Sequence, residues 1–425
     1  MKNEARESIA LFSKWFIVST VTGVVSALLV FLMIWLLKGT SNVLSRVPGR
    51  LEWLIPAAGA LLVGALIIGI APESGGEGVP VYIMSVNRRN GIFKTAAALL
   101  KFPATVFTLA LRFSGGIVGP LVHISAGCSS FLADHVFKRL KMLGEDDIRI
   151  ASICGASGAV SAIFHSPLGG ALFAAEILHS ESMQYIDLIP ALMAGVVSVM
   201  VSIFALESHP FVVVHAPHII PAWHSFIWLP VVAAFSGGVG MLFIFFFNRL
   251  SELFRRIAPH QPYTALLGGG FVALISYLNA DWALGTSTGV PEAIVNGSLE
   301  DIYTSFFSFG NVSVFLVILI AAKAVTTSIT VGSGMSGGFT GPLIIMGLAS
   351  GALASSIMHI HAGSIAYHAF LACGMAAILG AVMNIPLAAI VITTKIFGTS
   401  YILPALIGGT VAFALFKSKS IYQYK

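Results

Sequence analysis

The sequence predicts an all-α polytopic membrane protein made of two related halves, with helices broken at Gly and Pro. Three observations carry this. Of 425 residues, 57% are hydrophobic and only 10% are Asp, Glu, Lys or Arg, whereas soluble chains carry about 25% charged residues. Apolar segments recur at span length along the whole chain. Motifs in the first half return in the same order in the second. The composition excludes a soluble enzyme, a disordered chain and a secreted disulfide scaffold.

The segments run at about 15–37, 51–70, 95–111, 187–206, 224–247, 263–278 and 312–331. Each approaches or exceeds the roughly 17–25 residues that cross a bilayer. The first, Trp15 to Leu37, reads as a spanning helix rather than a signal sequence. Residues 113–133, 150–178, 335–358 and 368–416 are apolar but interrupted by Gly and Pro. Broken helices at membrane depth are tolerated where backbone is buried in protein or lines a path, and transporters use them to aim helix N-termini at a binding site. Basic residues at both ends, Lys2 and Arg6, then Lys417, Lys419 and Lys425, place both termini in the cytoplasm of a multi-pass cell-membrane protein. The same rule accounts for the net charge of +5, and no dense Lys/Arg tract points to nucleic acid. Cys128, Cys154 and Cys373 lack metal-ligand spacing and read as buried small residues. No metal site, cofactor, catalytic triad or appended soluble domain is expected.

The repeat is specific. Cys154-Gly155 with Pro167-Leu168 returns as Cys373-Gly374 with Pro386-Leu387, both pairs displaced by the same interval. Gly115-Gly116-Ile117-Val118-Gly119-Pro120 returns at nearly that interval as Gly337-Gly338-Phe339-Thr340-Gly341-Pro342. Gly76-Glu77-Gly78-Val79-Pro80 has a looser echo at Ser287 to Pro291, at a slightly shorter interval. The halves fall at about 1–222 and 223–425; sequence alone leaves them inverted or parallel. Each Gly-Gly-x-x-Gly-Pro motif opens a helix-like run. Helix N-termini carry unpaired N–H groups and the positive dipole end, so two facing each other make an anion site without a fixed cation. The competing reading is that these glycines only allow close helix packing.

At these motifs the sequence resembles the CLC family of chloride channels and proton-coupled chloride antiporters. Gly76-Glu77-Gly78-Val79-Pro80 is similar to that family's GSGIP, Gly116-Ile117-Val118-Gly119-Pro120 to its G(K/R)EGP, and Gly338-Phe339-Thr340-Gly341-Pro342 to its GxFxP. The stretch from Ser166 to Glu176 is similar to its APLAG segment. The resemblance implies a CLC-like two-fold inverted repeat, a homodimer with one pore per subunit, and a chloride path lined by the backbone amides of Ile117, Val118, Gly119, Phe339 and Thr340. Gly76, Gly78, Gly116 and Gly338 are likewise expected among the anion-binding residues.

The departures bear on mechanism. The family's gating glutamate falls on Val118, and its inner proton-relay glutamate falls on Ile177, one residue past Glu176. The serine that helps hold the anion is replaced by Glu77. Glu77 is then a displaced gate that mimics an anion, a proton-coupling group, or a side chain turned away. Together with Val118 it is the candidate gate. The family's inner tyrosine hydroxyl, counted back from Pro404, falls on Thr399, with Tyr401 two residues on. Lys323 and Lys395 lie in apolar segments and either raise anion occupancy or snorkel to the interface. His123 reads as a packed, hydrogen-bonded histidine. The expected function is passive conduction of chloride and similar small anions. The alternatives are proton-coupled antiport with Glu77 as a relocated proton carrier, and a non-transporting membrane protein that keeps the fold.

Overall fold

The computed structural model describes residues 2–46, 53–178, 185–210, 223–257, 261–278, 280–287, 289–302 and 311–422, with positions 212, 214, 216, 217 and 219–221 between them. Sixteen α-helices form among these residues. In the first half they are α1 (Lys2–Leu44), α2 (Ile55–Ile70), α3 (Val79–Arg88), α4 (Thr95–Ala110), α5 (Val118–Leu132), α6 (Asp147–Phe164), α7 (Pro167–Glu176) and α8 (Tyr185–Met200). In the second they are α9 (Leu229–Ile257), α10 (Gln261–Tyr277), α11 (Val290–Asn296), α12 (Val312–Gly332), α13 (Thr340–Ile357), α14 (Ile365–Met383), α15 (Pro386–Phe397) and α16 (Ile402–Phe416). Eight helices among the described residues are long and apolar enough to cross a bilayer. The 43 residues of α1 exceed what a hydrocarbon core of about 30 Å requires at about 1.5 Å per residue.

The interruptions expected from Gly and Pro are real and have local causes. The helix α6 ends where His165 turns left-handed (φ 49°), and Pro167 opens α7. The helix α14 ends where Asn384 turns left-handed (φ 61°), and Pro386 opens α15. The two breaks are in register with the repeat, His165 matching Asn384 and Pro167 matching Pro386. Proline fits the first helical turn because its missing N–H would have no partner there.

The buried layer is α6, α13 and α14. Small residues bring these helices together: a Cβ on Gly374 would lie 2.5 Å from the Gly347 carbonyl oxygen. In a bilayer such packing replaces the hydrophobic drive that water would supply. Cys154 and Cys373 are fully buried, as expected of small core residues. Two carboxylates, Asp187 buried and Glu176 half-buried, tie helices. Asp187 on α8 accepts two hydrogen bonds from Arg149 on α6, at 2.9 and 2.8 Å. Removing one partner of such a pair costs about 3–5 kcal/mol. Glu176 at the end of α7 accepts from the Leu387 and Ala388 amides at 3.0 and 2.9 Å, so it caps α15 across the two halves.

The halves meet through equivalent residues. Gly116 and Gly338 exchange two N–H···O bonds of 2.7 Å in an antiparallel bridge. Thr105 Oγ1 bonds Ser336 Oγ at 2.8 Å, and Ser114 Oγ bonds Thr327 Oγ1 at 3.0 Å. Gly337 N donates to Gly76 O and Gly115 N donates to Gly285 O, both at 3.3 Å. Reciprocal pairing of Gly116 with its own repeat mate is what a two-fold axis between the halves produces.

Candidate functional site

Three helix N-termini converge where the halves meet. Gly78 caps α3 with φ 106°, which only glycine adopts without strain. Ile117 caps α5, and Phe339 caps α13. In α5 the first intrahelical bond is donated by Leu121, so the Ile117, Val118 and Gly119 amides are left over by helix geometry, and Thr340 at the start of α13 is in the same position.

Glu77 lies at this convergence and is 4% exposed. Its Oε2 accepts the Val79 amide at 2.8 Å, from the first turn of α3. Its Oε1 accepts the Tyr422 hydroxyl at 3.1 Å. The Phe339 amide, at the start of α13, is also directed at the carboxylate. The first turn of α5 closes the fourth side, where a Cβ on Gly119 would lie 2.8 Å from Glu77 Cδ. The carboxylate is thus held between two helix N-termini and a hydroxyl. Of the three readings of Glu77, a side chain turned away is not what the structure shows.

The inner hydroxyl is a correction to the sequence reading. Thr399 is exposed. Tyr401 is buried, its ring 5.9 Å from Phe397 and 6.2 Å from His368, and its hydroxyl has no partner among the described residues. The hydroxyl that reaches Glu77 belongs to Tyr422. After α16 the chain folds back, and Ile421 N and Ser420 Oγ both donate to Val382 O, at 2.9 and 3.2 Å. This seats Tyr422 at 4% exposure against Glu77. Counting from a nearby proline misses it because the contact spans 345 residues and depends on the tail's return. The sequence signal is a tyrosine in a short polar segment just past the last apolar run.

Three glycines expected to bind the anion act as frame. The Gly116 and Gly338 amides are consumed by each other, and the Gly76 amide donates to Gly334 O at 3.4 Å. Val118 is buried at the start of α5. Its side chain carries no charge, so as a gate it could act only as an apolar plug. Ile177 is buried as well. Glu176, its neighbour, is engaged at the α15 terminus and not in this cradle.

A second residue of the site, besides Tyr422, lay outside the expectations from sequence. Lys101 of α4 is fully buried and donates to the carbonyls of Ser74, Gly75 and Gly76 at 3.1, 3.2 and 3.0 Å. All three ammonium protons are therefore paired. A Cβ on Gly78 would lie 2.8 Å from Lys101 Cε. The lysine thus flanks Glu77 on both chain sides, and their charges attract. Its mate in the repeat is Lys323, which follows it at the same interval that separates the two Gly-Gly motifs. Lys323 is also fully buried rather than snorkelling, and it donates to Ser114 Oγ at 3.2 Å. Lys395 is exposed. His123 packs against Phe93 with ring centroids 5.8 Å apart, but neither ring nitrogen has a partner among the described residues, contrary to expectation.

Residues 59–417 match the family model described as voltage gated chloride channel. The chain belongs to that family. An uncharacterized protein of Methanocaldococcus jannaschii is 28% identical over 417 residues, covering 97% of this chain and 95% of that one. A chloride/fluoride channel protein of Pseudomonas syringae pv. tomato is 26% identical, covering 81% of this chain and 72% of its own. An H(+)/Cl(−) exchange transporter of Klebsiella pneumoniae is 27% identical, covering 88% and 78%. Among solved structures, a CLC-type fluoride/proton antiporter superposes with a TM-score of 0.81 at 20% identity over 97% of both chains. A slow cyanobacterial Cl−/H+ antiporter gives 0.77 at 18% identity over 96% of both. The fold is therefore the CLC fold, in a multi-pass membrane protein whose family transports anions across membranes.

Proposed function

We propose that this chain conducts small anions passively, with chloride the default ion and bromide and nitrate also admitted. The two repeat halves would enclose one pore per subunit of a homodimer, with both termini in the cytoplasm. The observation that carries this reading is the Glu77 carboxylate, hydrogen-bonded to the Val79 amide and the Tyr422 hydroxyl beside the start of α13. A site that holds a carboxylate with neutral donors suits a small inorganic anion, and such donors bind weakly enough for conduction. Glu77 then acts as a tethered anion that must leave before another enters. The positions at which related proteins carry protons, Val118 and Ile177, are apolar, so the usual exchange route has no carrier.

The presence of a carboxylate in the cradle favours one second reading, proton-coupled antiport through Glu77. Flux from chloride-loaded liposomes decides between them. A channel releases chloride without moving protons. Uphill proton movement driven by a chloride gradient would replace conduction with antiport, and absence of anion flux across a range of pH would remove both. Glu77→Gln removes the tethered charge. Chloride flux is expected to rise severalfold and to lose its dependence on pH; an unchanged flux profile takes Glu77 out of the mechanism.

A further inference from the structure

Lys101 is a neighbour of the cradle, and its placement is unusual. A fully buried ammonium is costly unless compensated. Here its protons go to three successive carbonyls of the loop that carries Glu77, Ser74 to Gly76. Those carbonyls neutralise no charge; the carboxylate of the next residue does. Lysine and glutamate together make the occupied cradle neutral overall. When the carboxylate swings out, the ammonium stays, because its hydrogen bonds are to backbone and not to Glu77. The vacated cradle then carries one uncompensated positive charge beside the free amides of α5 and α13.

We propose that Lys101 sets the charge of the anion site, so that an inorganic monoanion replaces the Glu77 carboxylate one for one. This rests on the reading of the cradle as an anion site. Lys101 attracts the tethered and the free anion alike, so it barely affects their competition. It matters fully only when the tethered anion is gone. A lysine that merely braced the loop would act equally in both situations.

The test is chloride titration calorimetry on the purified full chain, comparing Lys101→Met with and without Glu77→Gln. In the Glu77→Gln background, Lys101→Met is expected to weaken chloride binding by about tenfold or more, the scale of one nearby charge in a partly screened site. With Glu77 present the same change is expected to cost at most about threefold, since carboxylate and chloride lose the same attraction. Lys101→Arg keeps the charge, and in the Glu77→Gln background it should hold chloride within about threefold; this arm decides the matter if the Lys101→Met variant does not fold. Equal losses in both backgrounds, or Arg failing as badly as Met, would make Lys101 a loop brace and overturn the proposal. If no variant binds chloride, the anion-site reading itself falls, which is a distinct result.

Discussion

Two buried lysines, Lys101 and Lys323, occupy equivalent places in the two halves and live in different surroundings. Lys101 is clasped by three carbonyls and has Glu77 beside it. The Lys323 ammonium has one hydrogen bond among the described residues, to the Ser114 hydroxyl, and desolvation is its dominant electrostatic burden. The difference originates in the loops before α3 and α11. Gly76 and Gly285 make matching bonds to their opposite halves, to Gly334 O at 3.4 Å and to Arg112 O at 2.9 Å. Gly78 and Gly289 both cap the helices that follow. Between these landmarks the first half has Glu77 alone, whereas the second has Thr286, Ser287 and Thr288, of which Thr288 lies outside the described residues. Ser287 turns its hydroxyl to the Trp282 and Leu284 carbonyls at 3.0 and 2.8 Å. The two-fold frame is preserved, and the difference in loop length decides which half carries a carboxylate.

The largest expected effect of breaking this comparison is at Lys101. Lys101→Met takes the ammonium from the Ser74 and Gly75 carbonyls, leaves Gly76 O with the Gly337 amide alone, and leaves Glu77 without its countercharge. Each loss is of the kind that costs one to several kcal/mol, and together about 3–5 kcal/mol is expected. Thermal unfolding in detergent should show a much lower midpoint than the parent. A midpoint within a degree or two would mean that the clasp contributes little to the loop's shape.

The helix caps give a smaller, paired contrast. A Cβ at Gly78 meets Gly119 O at 2.6 Å and Lys101 Cε at 2.8 Å, on top of a φ of 106°. A Cβ at Gly289 meets nothing within 4 Å, so only its φ of 92° opposes substitution. Gly289→Ala should cost about 1–2 kcal/mol from backbone strain alone. Gly78→Ala should cost more and should also displace Glu77 from its seat. Equal losses in stability for the two variants would show that the cradle is looser than its distances imply.

How much of this was legible in the chain varies by the range of the contact. The fold class follows from the spacing of apolar runs, and the donors of α5 and α13 follow from Gly-Pro pairs that announce helix starts. The choice between a used and a free amide does not follow. Gly116 and Gly338 look like donors to a ligand until the halves are paired, and then each is spent on the other. Tyr422 is invisible for a similar reason, since nothing near residue 422 says that the chain returns to Glu77. Lys101 does leave a trace, because it and Lys323 keep the same register as the two Gly-Gly motifs. A single lysine in an apolar run reads equally well as an interfacial residue, and only its mate at 323 separates the two.

Lys323 supplies the smallest effect and the sharpest use of the comparison. Methionine has nearly the volume of lysine and no charge to desolvate. Lys323→Met leaves Ser114 still bonded to Thr327 Oγ1 at 3.0 Å, so no buried hydroxyl is orphaned. Replacing a poorly compensated buried charge with an apolar residue is commonly neutral or stabilising. The expected change is between zero and about 2 kcal/mol in favour of the folded state, read in the same unfolding assay as Lys101→Met. The two substitutions are chemically identical and sit at equivalent points of one frame, so their difference isolates the loop and its carboxylate. If Lys323→Met were as damaging as Lys101→Met, equivalence of position would outweigh surroundings, and burial of a lysine in this frame would itself be the stabilising feature.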